Sequence, residues 1–308
     1  MATIALKIDV DTLRGTREGV PRLAQLLSRS GVRATFLFSL GPDHTGRAIK
    51  RAFRRGFMKK VSRTSVLSHY GLKTLMYGVL LPGPHIGRGC ADVMREVAAA
   101  GFEVGVHTYD HIKWQDGVAS ASEAWTRREL ELAFEQFVEV FGRPPEVHGA
   151  AGWQVNAFVP GLEEAMGFRY ASDVRGTAPF IPMVDGLAVA VPQLPTTLPT
   201  LDELIGRPDL RGVDPVDHLL TLTRADPQRD QVFTLHAELE GGAYLPALQR
   251  LLTRWRTEGH RVTDLATYAA GLDVARLPRC QIVAGSVAGR SGLLASQAAA
   301  EPLGALSG

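Results

Sequence analysis

Ile4-Ala5-Leu6-Lys7-Ile8-Asp9-Val10-Asp11 is an apolar run that ends in two carboxylates. Side chains alternate across a strand, so Asp9 and Asp11 share a side and can converge on one small volume. A second run, Phe102-Glu103-Val104-Gly105-Val106, leads into His107-Thr108-Tyr109-Asp110-His111. Working outward, short apolar segments near 4–10, 34–39, 102–107, 146–149, 169–172, 231–236 and 260–262 read as strands. Longer patterns over 17–30, 91–100, 122–141, 156–166, 216–224, 244–258 and 265–270 read as helices. Gly31, Gly101, Gly142, Gly167 and Gly259 stand where helices would end, a usual place for glycine. Repeated helix–glycine–strand units imply a parallel sheet. About seven of them predict an α/β fold, a distorted (β/α) barrel, rather than an open sheet. Function in a barrel collects on loops at the strand C-termini. Asp9, Asp11, His107, His111, His148, Asp173 and His236 all fall there.

The chain has 308 residues, 45% hydrophobic and 21% charged, the balance of a globular protein with a substantial core. Residues 1–283 read as a single barrel domain carrying an insertion at 43–90. A Gly/Ala/Ser-rich tail over 284–308 reads as partly ordered or as a cover for the barrel's bottom. Cys90 and Cys280 stand far apart without a partner pattern, which suggests a reducing compartment and argues against a zinc-thiolate site. No charged segment precedes a long apolar stretch at the N-terminus, so no secretory signal is expected.

Two carboxylates held so close repel one another unless a cation or a raised pKa relieves them. One acting as metal ligand and the other as base is a natural division. The plain alternative is that D-x-D only caps the next helix or engages Arg14 and Arg17. His107 and His111 have H-x-x-x-H spacing, which gathers both imidazoles if the loop makes one helical turn. Two histidines and one carboxylate leave positions open for water and substrate, as in a catalytic site. His236 ends the run Val232-Phe233-Thr234-Leu235, where an imidazole could protonate a leaving amine or simply edge the core. In His148-Gly149-Ala150-Ala151-Gly152-Trp153, small residues offer backbone N–H groups to a pocket. Trp153 there is a candidate platform for a sugar ring, or else a core residue. Arg14, Arg17 and Arg175 are candidates to pair with a carboxylate or clamp a phosphate, or to form ordinary surface ion pairs.

In this order, D-x-D, H-T-x-x-H, the aromatic loop, D-x-x-G and L-H resemble the metal-dependent polysaccharide deacetylases, the NodB-homology group. Ile8 to Leu23, Gly149-Ala150-Ala151-Gly152-Trp153-Gln154, Leu198-Pro199-Thr200 with Asp202-Glu203-Leu204-Ile205-Gly206-Arg207, His236-Ala237-Glu238-Leu239-Glu240-Gly241 and Ala288-Gly289-Arg290 are similar to a narrower family. These are the 4-deoxy-4-formamido-L-arabinose-phosphoundecaprenol deformylases. The resemblance runs from Lys7 to about Gln297. It implies removal of an N-formyl group from an undecaprenyl-phosphate-linked aminosugar, the step that commits aminoarabinose to lipid A modification and polymyxin resistance. By position it implies Asp9 as base, Asp11, His107 and His111 as ligands of a divalent ion, and His236 as acid. Glu238 joins Arg14, Arg17, Trp153 and Arg175 in the candidate substrate-binding set. The donor set suits zinc, cobalt, manganese or iron to different degrees. The arginine usual in the wider family's third motif is missing around 148–153, and Arg175 is the candidate to orient Asp9 in its place.

Between His44 and Ala91 there is no Asp or Glu but ten basic residues. Taking these ten from the 34 basic residues leaves 24 against 32 acids, so the rest of the chain carries about −8. Over 47–63, Ile49, Ala52, Phe53, Phe57 and Val61 recur at helical spacing, and Arg47, Arg51, Arg54 and Arg55 cover much of the rest. A basic amphipathic helix with aromatic anchors suits an anionic membrane surface. The next apolar stretch, 72–81, is far short of the ~20 residues that span a bilayer. Expected partners are therefore the lipid-linked sugar and an anionic membrane surface, with no nucleic acid and no obligate protein partner. The expected location is the cytoplasmic face of the inner membrane, peripherally bound. The rivals are an N-deacetylase of another aminosugar or amide, and a non-catalytic barrel that binds lipid phosphate or carbohydrate.

Overall fold

The computed structural model describes residues 2–48 and 74–299. At its centre lies β1 (Thr3–Val10), buried along almost its whole length. Its alternation sorts the run into two faces. Ile4, Leu6, Ile8 and Val10 point into the main core beneath the helices, while Ala5 joins Leu37, Val147, Leu194 and Val232 inside the sheet's curve. Each large aliphatic side chain fully buried this way contributes roughly 1.5–3 kcal/mol. The same alternation turns Lys7 and Asp9 inward with Ala5.

One edge of β1 pairs with β8 (Gln231–His236). The other edge is shared by β9 (Arg261–Asp264) over 3–6 and β2 (Thr35–Ser39) over 7–10. The sheet continues through β3 (Glu103–Thr108) and β4 (Val147–His148) to β5 (Tyr170–Ala171), and every pairing is parallel. Packed around it are α1 (Val20–Ser30), α2 (Ala91–Ala99), α3 (His111–Gly117), α4 (Glu123–Phe141), α5 (Val159–Ala165), α6 (Pro215–Ala225), α7 (Leu245–Thr257) and α8 (Leu265–Ala270). Every predicted strand and helix in the described residues is present. The helix expected from 156 begins only at Val159, because Asn156 turns its side chain to the backbone of Phe158 and Val118 instead.

The sheet is a half-barrel: β5 and β8 do not pair. An irregular segment closes the gap. Leu194 N–H donates to Ala171 O at 2.7 Å, and the Thr197 and Leu198 N–H groups reach Val232 O at 3.1 and 3.2 Å. Pro192, Pro195 and Pro199 lack the N–H that a regular ladder needs, so this stretch bridges without becoming a strand. Gly105 marks how narrow the interior is, since a Cβ there would lie 2.3 Å from Val147.

A second, four-stranded sheet comprises β6 (Ile181–Val184), β7 (Leu187–Ala188), β10 (Arg279–Gly285) and β11 (Leu294–Gln297), in the order β11-β10-β6-β7. The boundary expected at 283 therefore falls inside a strand. The described part of the tail, 284–299, runs alongside Arg175: Arg175 N–H donates to Ala295 O and Gln297 N–H to Arg175 O. Among the described residues no helix is long and apolar enough to cross a membrane. Arg51, Phe53, Arg54, Arg55 and Phe57 lie outside the described residues.

Candidate active site

Asp9 lies at the end of β1 and Asp11 opens the loop after it, held by Glu238, whose Oε1 accepts from Asp11 N, Thr12 N and Thr12 Oγ1 at 3.2, 2.9 and 2.7 Å. Contact is so close that a Cβ on Gly15 would lie 1.9 Å from the same oxygen. Glu238 is thus a buried clamp between the β1 and β8 loops, which corrects its expected place among substrate contacts. Burial and the nearby Asp11 carboxylate push its pKa up to about 8.

His107 sits at the end of β3 and His111 is the first residue of α3. A strand-to-helix turn, rather than the one helical turn expected, brings their rings to 5.3 Å between centroids. Asp110 makes that turn as N-cap, accepting from Lys113 N at 3.1 Å while its other oxygen meets His44 Nδ1 at 2.6 Å. His107 Nδ1 donates to Gly149 O at 2.6 Å, which leaves Nε2 as the free lone pair.

That Nε2 is 3.3 Å from Asp11 Oδ1, and His111 Nε2 is 3.5 Å from the same oxygen. The three ligand atoms lie within 4.8 Å of one another. Asp11 Oδ1 and Asp9 Oδ1 are buried without a hydrogen-bond partner among the described residues. An orphaned carboxylate facing two imidazoles is a donor set that fits a divalent cation. Burial works to raise the Asp11 pKa, but the His111 and His107 imidazoles outweigh it and hold the carboxyl far below the usual range. Burial also lowers the His111 pKa, keeping that ring a neutral donor.

Asp9 stands beside this trio, its Oδ2 3.5 Å from Lys7 Nζ. Lys7 is wholly buried and donates to Ser172 O at 2.8 Å. This corrects the expectation for Arg175, which binds Glu203 Oε1 at 2.8 Å and Leu198 O at 3.1 Å. A buried lysine two residues before the aspartate was a readable signal, because the same alternation that pairs Asp9 with Asp11 also pairs it with Lys7.

His236 closes the other side from the end of β8. Its backbone N–H donates to Glu240 Oε2 at 2.8 Å, and its ring Nδ1 lies 3.7 Å from Asp202 Oδ1. Burial disfavours the charged ring, yet the Asp202 and Asp11 carboxylates prevail and its pKa is raised. Asp202 lies inside a stretch singled out by resemblance, but without a role assigned from sequence.

Trp153 is 2% exposed, too enclosed to serve as the open sugar platform expected of it. Gly152 (φ 62°) and Trp153 (φ 52°) both adopt left-handed backbone, a turn that drives the indole inward. Its Nε1 donates to Thr196 Oγ1 at 3.1 Å, and Lys7, Arg175 and Arg290 all lie within cation–π range of the ring. Arg14 pairs with Glu18 at 3.1 Å, and Arg17 reaches Gly89 O at 3.3 Å. Neither of these partners belongs to the Asp11, His107 and His111 trio.

A second cluster escaped the sequence reading as a unit. His148 Nδ1 meets Glu163 Oε1 at 2.5 Å and Asp173 Oδ1 at 3.1 Å, all three side chains fully buried. Burial disfavours the His148 cation, but the two carboxylates raise its pKa to about 10. Asp173 falls to about 2 because His148 overcomes its burial, while Glu163 is raised well above the usual range, chiefly by burial. Asp173 also accepts from Ala150 N at 2.7 Å. The cluster therefore anchors the loop whose Gly149 carbonyl holds His107.

The polysaccharide deacetylase family model matches residues 2–171. A relative from Shewanella sediminis (strain HAW-EB3), named "Probable 4-deoxy-4-formamido-L-arabinose-phosphoundecaprenol deformylase ArnD", is 35% identical over 96% of this chain and 94% of its own. One of the same name from Wigglesworthia glossinidia brevipalpis is 30% identical over 92% and 98%. A crystallised Mycobacterium smegmatis protein assigned to the polysaccharide deacetylases superposes with a TM-score of 0.64 at 19% identity, covering 93% of this chain and 95% of that one, which speaks for the fold. With its strand-end carboxylates and imidazoles in place and its near full-length likeness to the deformylase-named relatives, the chain belongs to the polysaccharide deacetylase family.

Proposed function

We propose that this protein removes the N-formyl group from 4-deoxy-4-formamido-L-arabinose linked to undecaprenyl phosphate, freeing the amine for lipid A modification and polymyxin resistance. The observation that carries it is 35% identity over 96% of the chain to a relative bearing that name, on a chain that retains Asp9, Asp11, His107, His111 and His236.

Asp11, His107 and His111 would hold a divalent ion, zinc, cobalt, manganese or similar. Such an ion supplies a Lewis acid for the formyl oxygen and makes water a stronger acid. Asp9, steadied by the Lys7 ammonium, takes the proton of the attacking water at its carboxylate. His236, with Nδ1 toward Asp202, carries on Nε2 the proton that the departing 4-amino group receives. In the small-residue loop 149–152 the Gly149 and Ala150 N–H groups are taken by Val106 O and Asp173 Oδ1, so those of Ala151 and Gly152 are the candidates to stabilise the oxyanion. Glu240 holds the His236 backbone, and burial keeps its own pKa up at about 7.

The test is purified protein, stripped and reloaded with defined metals, given the formamido-arabinose phospholipid and its acetamido counterpart. Free amine should appear from the formamide and only with metal. Turnover without metal, or preference for the acetamide, would overturn the reading.

A lipid-borne substrate also requires approach to a membrane. The ten basic residues and no acids between His44 and Ala91 support peripheral binding at the cytoplasmic face of the inner membrane. Within that stretch Leu80 is 78% exposed, an apolar side chain offered to the surroundings, and Arg47 is tied to Gly78 O at 3.3 Å. Charge reversal at Arg51, Arg54 and Arg55 together is expected to abolish sedimentation with anionic vesicles and leave metal content unchanged. Undiminished vesicle binding would contradict it.

A further inference from the structure

The C-terminal hairpin reaches the hydrolytic site through one side chain. β10 and β11 pair antiparallel from Ile282↔Gln297 to Gly285↔Leu294, and the loop between them carries Gly289 and Arg290. Gly289 has φ 89°, and a Cβ there would lie 2.2 Å from Glu203 O. The loop backbone is therefore pressed onto the turn that bears Asp202 and Glu203, as only glycine allows. Arg290 spans both acids: Nη1 is 2.9 Å from Asp202 Oδ2, Nη2 is 3.2 Å from Asp202 Oδ1, and Nε is 3.0 Å from Glu203 Oε1. Its guanidinium lies 4.9 Å over the Trp153 ring. Asp202 Oδ1, so held, is the oxygen 3.7 Å from His236 Nδ1.

Charge decides what this cluster is for. Arg175 and Arg290 face Glu203 and Asp202, two cations against two carboxylates. The group is balanced internally, which does not suit a phosphate clamp. A planar guanidinium gripping a carboxylate at both oxygens is instead a device for fixing orientation.

We propose that Arg290, delivered by the C-terminal hairpin, is a positioning residue that sets Asp202 and through it His236, so that the tail is a working part of the hydrolytic site. This rests on the reading of His236 as the acid. Without Arg290, Asp202 loses the fork that aims Oδ1 at the imidazole, and the ring is free to turn its proton-bearing nitrogen away from the leaving amine.

The experiment uses full-length variants and the formamido-arabinose phospholipid. Arg290→Gln should lower kcat by about 100-fold, the scale on which an ångström of misplacement acts. KM should stay within about twofold and metal content should not change. Arg290→Lys should recover part of the loss, since it keeps the charge without the fork. In an Asp202→Asn background, Arg290→Gln should have little further effect, because both changes cut one chain of contacts. Leu251→Ala is the structural control, a cavity on the buried face of α7. That variant should melt earlier yet keep its kcat. Wild-type kcat in Arg290→Gln, additive losses with Asp202→Asn, or an equal kcat loss in Leu251→Ala would overturn the proposal. His236→Ala separates the two levels: if it still turns over, the acid reading itself fails, whereas an inactive His236→Ala beside a fully active Arg290→Gln refutes only the role of the hairpin.

Discussion

Asp11→Asn and Asp9→Asn are expected to be nearly isosteric and almost equally inactive, for opposite reasons. Asp11→Asn should lose the metal. The amide oxygen carries no charge to balance a dication, and Asp11 is the carboxylate in the trio with His107 and His111. Asp9→Asn should keep full metal content, because Asp11, His107 and His111 remain together. Its kcat should fall by about 10²–10⁴, the range attributed to a positioned general base. Metal analysis beside single-turnover rates checks both, and an Asp9→Asn protein emptied of metal would place Asp9 among the ligands. Lys7→Met extends the series. It keeps length but strips the cation 3.5 Å from Asp9, so turnover should drop with metal retained. Lys7→Arg should restore activity if charge is what matters. Stability should also suffer, since removing one partner of a buried ion pair commonly costs about 3–5 kcal/mol.

His148→Ala is expected to be the most destabilising single change outside the metal site. It leaves Glu163 and Asp173 facing each other at full burial, a loss of about 3–5 kcal/mol and on the order of 10 °C in Tm. The size of the effect should depend on pH in a definite sense. His148 has a folded pKa of about 10 against an ordinary 6.5, so its contribution is complete below 6.5 and disappears as pH rises through 10. The raised pKa of Glu163 acts in the same direction, because the fold holds a proton that the unfolded chain releases above its ordinary 4.5. Asp173, lowered to about 2, contributes above 3.8 and loses that contribution only as pH falls through 2. Melting curves should therefore show wild type declining from pH 6.5 toward 10, with the gap to His148→Ala wide at pH 6 and narrow at pH 10. A gap independent of pH would mean that the ring packs there uncharged, against Trp114 and Phe168.

The candidate metal-binding half of the site was legible from short segments. Asp9 and Asp11 share a face because side chains alternate along any strand, and His107 stands at the end of a run that could hardly be anything else. Lys7 was legible by the same rule, yet Arg175 drew attention because a missing arginine invites another arginine. Trp153 and Glu238 misled for a different reason. An aromatic after a small-residue loop and an acid in a recognisable motif look like ligand contacts until burial is known. The turn at Gly152 and Trp153 sends the indole inward, and the approach of Gly15 turns Glu238 into a clamp.

By itself the sequence determined the parallel strands, the helices between them, the strand-end placement of Asp9, Asp11, His107 and His236, and the family. All of these follow from backbone periodicity and from residues near one another in the chain. Only the tertiary structure decided which distant loops meet. A proline-broken stretch closes the half-barrel between β5 and β8, His148 finds Glu163 and Asp173, and the tail brings Arg290 to Asp202 behind His236. Such meetings depend on how the sheet curves and on which side chains can share a buried volume at balanced charge, and no local pattern encodes that.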